Sequence, residues 1–264
     1  MEPLYVIKIG GNIVDNPILL KECLKAFADL SGHAILVHGG GKLATSLAKD
    51  MGIDQSIIEG RRVTDSATLK VVTMVYAGDI NKNIVAGLQS IGVNAIGLTG
   101  ADGNLIQAHK RIHATVDYGF VGDIDCVNQE LIKSLISNGM RLVIAPITHD
   151  GHGQLLNTNA DTIAQSIATG MAKHFEVHLI YGFEREGVLS DVNDPSSVIA
   201  FIDRPVYGTL KDQKVIFEGM IPKIDNAYLA LEGGVQSVII GKAEKLNQLI
   251  NGTAGTTIKI YCHR

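Results

Sequence analysis

The chain has 264 residues, of which 46% are apolar and 19% charged, and this composition excludes an intrinsically disordered protein. Its formal net charge of −4 argues against general affinity for nucleic acid or acidic membranes. The sequence has no apolar run long enough to span a membrane and begins with a strand pattern, which predicts a cytoplasmic protein. Cys23, Cys126 and Cys262 are far apart and lack metal-ligand spacing, so we expect neither a disulfide nor a zinc site.

Strand patterns alternate with helical patterns along almost the whole chain. The predicted strands are residues 4–9, 33–38, 93–98, 142–147, 177–182, 235–240 and 256–261. The predicted helices are residues 16–30, 39–52, 66–92, 128–138, 159–172 and 222–232, and a hairpin-like stretch covers 53–64. This alternation is typical of an α/β fold in which helices cover a mainly parallel sheet. No Pro/Ser-rich linker interrupts it, which indicates that any two lobes share one continuous sheet.

Two glycine turns follow the first two predicted strands. Gly10 and Gly11 end the first strand, and Gly39–Gly41 end the second. Bare amides at a helix start bind anions, and ligands of open α/β sheets bind at the carboxyl ends of the strands. Gly39 to Ala44 also fits a dinucleotide-binding fingerprint, but the supporting acidic residue at the end of a further strand is missing. A tight turn without a ligand is the structural alternative.

Lys8 lies inside the apolar first strand, two residues before Gly10, in the segment "YVIKIGGNIV" (5–14). A buried ammonium costs several kcal/mol unless a negative group meets it. The sequence therefore predicts an anion, from the protein or a ligand, beside Lys8.

Polar residues in two later segments could extend this site. Arg61 and Arg62 offer planar forks that suit a carboxylate, although a solvated turn is the commoner role of arginine. Asn157, Asn159 and Asp161 alternate before a predicted helix, where capping alone explains only one of the three. We interpret the set as part of a binding site.

Lys223 follows Pro222 at a predicted helix start, where its charge opposes the helix dipole unless an anion lies nearby. His149 and His152 share a glycine loop but have no plausible third ligand, so we predict no metal site there. Two lysines, bare amides and an aspartate suit several phosphate charges at once. Phosphoryl transfer needs mainly such alignment and charge neutralisation from a protein.

With these residues placed, the chain resembles the amino acid kinase family. The segments "IKIGGN", "VHGGG", "GRRVTD", "GADGN", "NTNAD" and "GMIPK" occur in the family's order and spacing, nearly end to end. The resemblance implies a three-layer αβα sandwich with a mainly parallel central sheet. It also implies an acyl-amino-acid-binding and dimerisation lobe at residues 1–172, a nucleotide-binding lobe at 173–264, and a homodimer. The implied reaction is phosphorylation of the γ-carboxylate of an N-acylated glutamate, with ATP and Mg²⁺, in arginine biosynthesis.

The resemblance also implies residue roles. Lys8 and Lys223 resemble the lysines that flank the moving phosphoryl group, and Asp161 resembles the aspartate that holds both. The implied acceptor-binding residues are Gly40, Gly41, Arg62, Asn157 and Asn159. The implied nucleotide-binding residues are Gly10, Gly11, Gly182, Gly187, Val188, Leu189, Val215, Ile216 and Phe217. The segment "YGFEREGVL" (181–189) departs from the family's Asp-Val-x-Gly-Val-Leu because it lacks the usual aspartate.

Several other functions remain open from the sequence. The acceptor could be N-acetyl- or N-succinyl-glutamate, and other members of the family phosphorylate carbamate, glutamate, aspartate or UMP. The turn at Gly39–Gly41 leaves a nicotinamide-dependent oxidoreductase as an alternative from another class. A catalytically silent amino-acid sensor is a third, which the joint presence of Lys8, Asp161 and Lys223 disfavours.

Overall fold

A computed structural model of the chain describes residues 1–58, 61–191, 193–216 and 220–260. Its strands are β1 (Pro3–Ile9), β2 (His33–His38), β3 (Ile57–Ile58), β4 (Arg61–Arg62), β5 (Ala95–Leu98), β6 (Ile106–Lys110), β7 (Gly122–Val127), β8 (Arg141–Ile144), β9 (Ile147–His149), β10 (Leu155–Asn157), β11 (Glu176–Phe183), β12 (Phe201–Ile202), β13 (Ser237–Lys242) and β14 (Thr256–Ile258). Its α-helices are α1 (Gly11–Val14), α2 (Pro17–Ala28), α3 (Gly41–Asp50), α4 (Ser66–Val72), α5 (Asn81–Gln89), α6 (Gln129–Ser137), α7 (Ala160–Met171), α8 (Arg204–Asp212), α9 (Ile221–Glu232) and α10 (Leu246–Ile250). A π-helix (Thr73–Ile80) joins α4 to α5, and 3₁₀ turns lie at Asp102–Asn104 and Ala243–Lys245. Within the described residues, no helix combines the length and apolar character that crossing a membrane requires.

Eight strands form the central sheet, in the order β12-β14-β13-β11-β1-β2-β8-β5. Neighbouring strands in this sheet run parallel, except for β13 with β14. Ile9 lies opposite both His38 and Gly182, so β1, β2 and β11 end at the same level. This edge is where ligands of open parallel sheets bind. A four-stranded sheet (β10-β9-β6-β7) and the β3–β4 hairpin lie outside the central sheet.

Helices cover both faces of the central sheet, which confirms the expected three-layer αβα arrangement. Leu4 and Val6 belong to one hydrophobic core, together with apolar residues of α6, α7 and α9. Tyr5, Ile7 and Ile9 belong to the other core, together with residues of α2, α4 and α5. Because side chains of a strand alternate between faces, Lys8 lies on the same face as Leu4 and Val6, the face that α7 covers.

Several predicted boundaries are wrong. The single strand predicted at 142–147 is two strands, β8 and β9, because Pro146 between them has no amide to donate to a sheet. The last strand ends at Ile258 and does not include residues 259–260, while residue 261 of the predicted strand lies outside the described residues. Helix α8 was not predicted, although Asp203 caps it by accepting a hydrogen bond from the amide of Val206.

The hairpin of β6 and β7 was also not predicted. Strand β7 is largely half-buried or exposed, so its sequence carries no clear alternation of apolar and polar residues.

Candidate functional site

A cavity of about 760 Å³ lies at the carboxyl ends of β1, β2 and β11. Both glycine turns form part of its wall. Among the described residues, the charged side chains that line it are five cations and two carboxylates: Lys8, Lys42, Arg61, Arg62, Lys223, Asp161 and Glu184. The excess of positive charge in a concave site attracts a ligand with several negative charges.

Lys8 and Lys223 meet at a single carboxylate in this cavity. The Nζ atom of Lys8 lies 2.8 Å from Oδ1 of Asp161. The Nζ atom of Lys223 donates a hydrogen bond of 2.7 Å to Oδ2 of the same residue. Strand β1 carries Lys8, the first turn of α7 carries Asp161, and the first turn of α9 carries Lys223. The fold thus brings together three charges that lie up to 215 residues apart in the sequence, since residue 8 meets residue 223.

Burial and charge pull the pKa values of this cluster in opposite directions. Burial by itself raises the pKa of Asp161, but the two neighbouring ammonium groups outweigh it and lower the pKa to about 2. Burial lowers the pKa of Lys8 below its usual value, and Asp161 partly offsets this effect. Asp161 is therefore ionised at neutral pH and holds the two lysines on the cavity wall.

The glycine turns present backbone amides to the same cavity. Gly10 precedes α1 and Gly40 precedes α3, so the first amides of both helices have no carbonyl partner within the helix. Gly40 has a φ of +156°, and a Cβ atom there would lie 2.1 Å from Cδ1 of Ile80. Only glycine fits this position. The sequence-predicted anion site therefore coincides with the lysine pair.

Arg62 lies beside the second glycine turn. Its Nη2 atom donates to the carbonyl oxygen of Gly41 at 2.9 Å and to Oγ1 of Thr45 at 2.8 Å. Its Nη1 atom donates to Oε1 of Gln55. Thr45 and Gln55 were not predicted from the sequence, because neither belongs to a recognised motif and both contact Arg62 only in the folded protein.

Asn157 and Asn159 also line the cavity. The side-chain amide of Asn157 donates to Oγ1 of Thr64 at 3.0 Å. The side-chain oxygen of Asn159 accepts from the amides of Asp161 and Thr162 and so caps α7. Asn159 is therefore the residue of this set that caps a helix, and it also lines the cavity.

A second cavity of about 350 Å³ has the lining residues Phe183, Glu184 and Lys223 in common with the first. It contains five of the residues assigned to nucleotide binding, namely Gly187, Val188, Leu189, Val215 and Ile216. Gly182 lines the first cavity instead. Phe217 lies outside the described residues.

Glu184 stands where the two cavities meet. It lies three residues before Gly187, the position at which the Asp-Val-x-Gly-Val-Leu pattern has its aspartate. The missing aspartate is thus replaced by a carboxylate that is one methylene longer. Its Oε1 atom accepts a 2.7 Å hydrogen bond from the side-chain amide of Asn12, which follows the first glycine turn.

The described part of the chain contains no group of three or more His, Cys, Asp or Glu residues placed to hold a metal ion. His149, which the sequence analysis considered as a ligand, has its Nε2 atom 2.8 Å from Oδ1 of Asn104. Its Nδ1 atom accepts from the amide of Gly151. Both ring nitrogens of His149 thus make hydrogen bonds that stabilise the loop.

Known proteins resemble this chain in sequence and in fold. A family model described as "Amino acid kinase family" matches residues 3–242. The chain is 55% identical to acetylglutamate kinase of Parabacteroides distasonis, covering 94% of this chain and 97% of that protein. It is 53% identical to acetylglutamate kinase of Cytophaga hutchinsonii, covering 98% and 99%.

Among solved structures, N-acetylglutamate synthase of Neisseria gonorrhoeae has a TM-score of 0.83 at 21% identity, covering 99% of this chain and 60% of that one. Carbamate kinase of Giardia has a TM-score of 0.70 at 12% identity, covering 97% and 98%. At such identities these two structures support the fold alone. The family match and the close relatives together show that this chain belongs to the amino acid kinase family.

Proposed function

We propose that this protein transfers the γ-phosphoryl group of ATP to the γ-carboxylate of N-acetylglutamate, a step of arginine biosynthesis. The observation that carries the proposal is the convergence of Lys8 and Lys223 on Asp161 beside two glycine turns. Relatives named acetylglutamate kinase that match at over 50% identity along nearly the whole chain support the choice of acceptor. No observation on the cavity favours the nicotinamide or sensor alternatives.

The proposed chemistry needs no general base. A γ-carboxylate is ionised at pH 7 and can attack the phosphorus atom directly. Negative charge spreads over the oxygens of the transferred group in the transition state, and Lys8 and Lys223 would neutralise it there. Asp161 would hold both ammonium groups in place without touching the reacting atoms. Gly10, Gly11 and the amides of the second turn would orient the phosphates and the acceptor.

We assign the two cavities to the two substrates. The larger one, with Arg62, Asn157 and the second glycine turn, would bind the acylated amino acid and the terminal phosphates. The smaller one would bind the nucleoside, because its wall is mainly apolar. This assignment divides the chain into an acceptor-binding lobe at 1–172 and a nucleotide-binding lobe at 173–264. We also propose a cytoplasmic homodimer, as the family resemblance implies.

Magnesium ions that enter with a nucleotide are held mainly by phosphate oxygens and by one or two carboxylates. The cavity fits this requirement, since Glu184 offers a carboxylate between the two cavities while Asp161 is engaged by two lysines. Bound there with the nucleotide, Mg²⁺ would neutralise phosphate charge.

ATP consumption measured side by side with several acceptors tests the proposal. We expect the highest kcat/KM with N-acetyl-L-glutamate, lower values with N-succinyl-L-glutamate, and negligible values with free glutamate, aspartate, carbamate and UMP. Trapping of the product with hydroxylamine checks that an acyl phosphate forms. If N-acetylglutamate stimulates ATP consumption no more than free glutamate does, the proposed acceptor is wrong.

Replacing Arg62 with alanine should raise the KM for the acceptor about 10- to 100-fold, because hydrogen bonds to a charged group contribute roughly 1.5–3 kcal/mol. The KM for ATP should change little. Arg62→Lys keeps the charge but loses the fork, and we expect it to restore only part of the affinity. Initial rates at varied acceptor concentration and at varied ATP concentration give the two KM values. The control is Arg204→Ala, which removes one partner of an exposed ion pair with Glu232. An unchanged acceptor KM in Arg62→Ala would contradict the assignment.

A further inference from the structure

Behind the second glycine turn lies a chain of buried polar groups that the proposed function does not use. His38, the last residue of β2, has no exposed surface, and Asn81, the first residue of α5, is 1% exposed. The Nδ1 atom of His38 lies 2.9 Å from the carbonyl oxygen of Gly39. Its Nε2 atom lies 3.3 Å from Nδ2 of Asn81.

The partners of these side chains determine where each proton lies. A carbonyl oxygen only accepts, so Nδ1 of His38 carries the proton and donates to Gly39. Nδ2 of Asn81 also donates to the carbonyl oxygen of Val143 at 3.0 Å, and Oδ1 of Asn81 accepts from Nζ of Lys82 at 2.9 Å. Asn81 is thereby fixed with its amide nitrogen toward His38. The imidazole is left neutral, with Nε2 as the acceptor.

The charge state of His38 agrees with this pattern. Burial lowers its pKa to about 4, with the ammonium of Lys82 acting in the same direction against the hydrogen bond to Gly39. At neutral pH the ring is therefore uncharged. A protonated ring would turn a second N–H group toward the amide of Asn81, which also donates.

The peptide unit between Gly39 and Gly40 connects these buried polar groups to the cavity. In a trans peptide the carbonyl of one residue and the amide of the next point in opposite directions. Holding the Gly39 carbonyl toward the buried imidazole therefore turns the Gly40 amide the other way, and Gly40 lines the cavity. Ile80 and Tyr76, on the π-helix just before Asn81, flank Gly40 as well. The π-helix thus supplies a wall for the turn, and α5, which follows it directly, supplies the anchor Asn81.

We propose that His38 is a positioning residue that orients the Gly40 amide toward the transferred phosphoryl group and the acceptor, with Asn81 and Lys82 setting its tautomer. The inference rests on the proposed function for what the amide binds, but not for how the amide is held. The peptides on either side are held by hydrogen bonds from the Gly39 amide to Ile9 and from the Ala44 amide to Gly40. The bond from His38 holds the Gly39–Gly40 peptide between them, and without it glycine on both sides would let this peptide adopt other orientations.

Two variants of nearly equal size separate this role from core packing. In His38→Asn the side-chain nitrogen can occupy the place of Nδ1 and donate to Gly39, whereas in His38→Gln the nitrogen reaches only the place of Nε2. We expect kcat of His38→Gln to be about 10-fold or more below that of His38→Asn. This loss is smaller than the one that follows complete removal of an oxyanion donor, because the Gly40 amide is misoriented but still present. The Kd for ATP should stay within about twofold in both, since no residue of the second turn lines the smaller cavity, which we assign to the nucleoside.

Thermal unfolding of each variant, and ¹⁵N NMR of the wild-type ring, complete the test. The proposal predicts a neutral ring protonated at Nδ1, and a difference in kcat that does not follow the difference in Tm. Equal kcat values in the two variants, losses that follow Tm alone, or a wild-type ring protonated at Nε2 would overturn it. If wild-type protein fails to phosphorylate N-acetylglutamate, the proposed function fails, and the NMR result still decides the tautomer.

Discussion

Replacing Lys8 or Lys223 with alanine is expected to lower the turnover number by a factor on the order of 10² or more, the size of the loss when one preorganised donor to a developing charge is removed. Each ammonium would neutralise charge that grows as the phosphoryl group moves, so its contribution belongs to the transition state. The KM values should change much less than kcat. Rapid-quench measurement of a single turnover reports the chemical step without product release.

Two control variants separate the loss of the ammonium charge from the loss of packing and from a change in surface charge. Lys8→Met retains most of the buried side chain. A similar loss of turnover in Lys8→Met and Lys8→Ala would therefore exclude a packing defect as the cause. Lys133→Ala removes a half-buried lysine that pairs with Glu130 on α6, outside both cavities, and should leave the rate unchanged. Near-normal turnover in Lys8→Ala or Lys223→Ala, with bound ATP and acceptor, would refute the assigned roles.

The second large effect is expected on stability. In Asp161→Asn the buried ammonium of Lys8 and the half-buried ammonium of Lys223 lose their counter-charge. Breaking a buried ion pair in this way costs about 3–5 kcal/mol in the free energy of unfolding. Chemical denaturation at pH 7 measures the loss. Glu232→Gln removes one partner of an exposed ion pair with Arg204 and should cost at most about 1 kcal/mol.

The pH dependence of the free energy of unfolding provides a second test of the role of Asp161. The folded-state pKa of Asp161, about 2, is lower than its unfolded value of about 3.8. Its contribution to stability is therefore fully present above pH 4 and is lost as the pH falls through 2. The difference between wild type and Asp161→Asn should stay constant from pH 5 to 8 and shrink in acid. A difference that is absent at pH 7 would contradict the role of Asp161 as the counter-charge.

The three-layer arrangement was implied by the family resemblance, but the alternation of strand and helix patterns sufficed to predict a mainly parallel sheet covered by helices. It did so because buried parallel strands such as β1 and β2 are continuous apolar runs with clear ends. Lys8 was recognisable for the same reason, since a charge stands out inside such a run. The half-exposed hairpin of β6 and β7 and helix α8 lack that contrast, and local pattern was insufficient for them.

Residues of the candidate site were recognisable in the sequence mainly where a residue is chemically unusual in its local context. Lys8, Arg62 and the glycine turns have such contexts. Thr45, Gln55 and Glu184 do not, because their roles arise from contacts between elements distant in sequence. The bond between His38 and Asn81 spans 43 residues, and no local pattern in the sequence predicts it or the π-helix that precedes Asn81.

A crystal structure with ADP, tetrafluoroaluminate, magnesium and N-acetylglutamate tests the central claim most directly, because the planar fluoride group mimics a phosphoryl group in transit. We expect the Nζ atoms of Lys8 and Lys223 to lie within hydrogen-bond distance of that group, from opposite sides, while Asp161 still contacts both. A complex in which either ammonium stays on Asp161 alone, away from the fluoride group, would contradict this account.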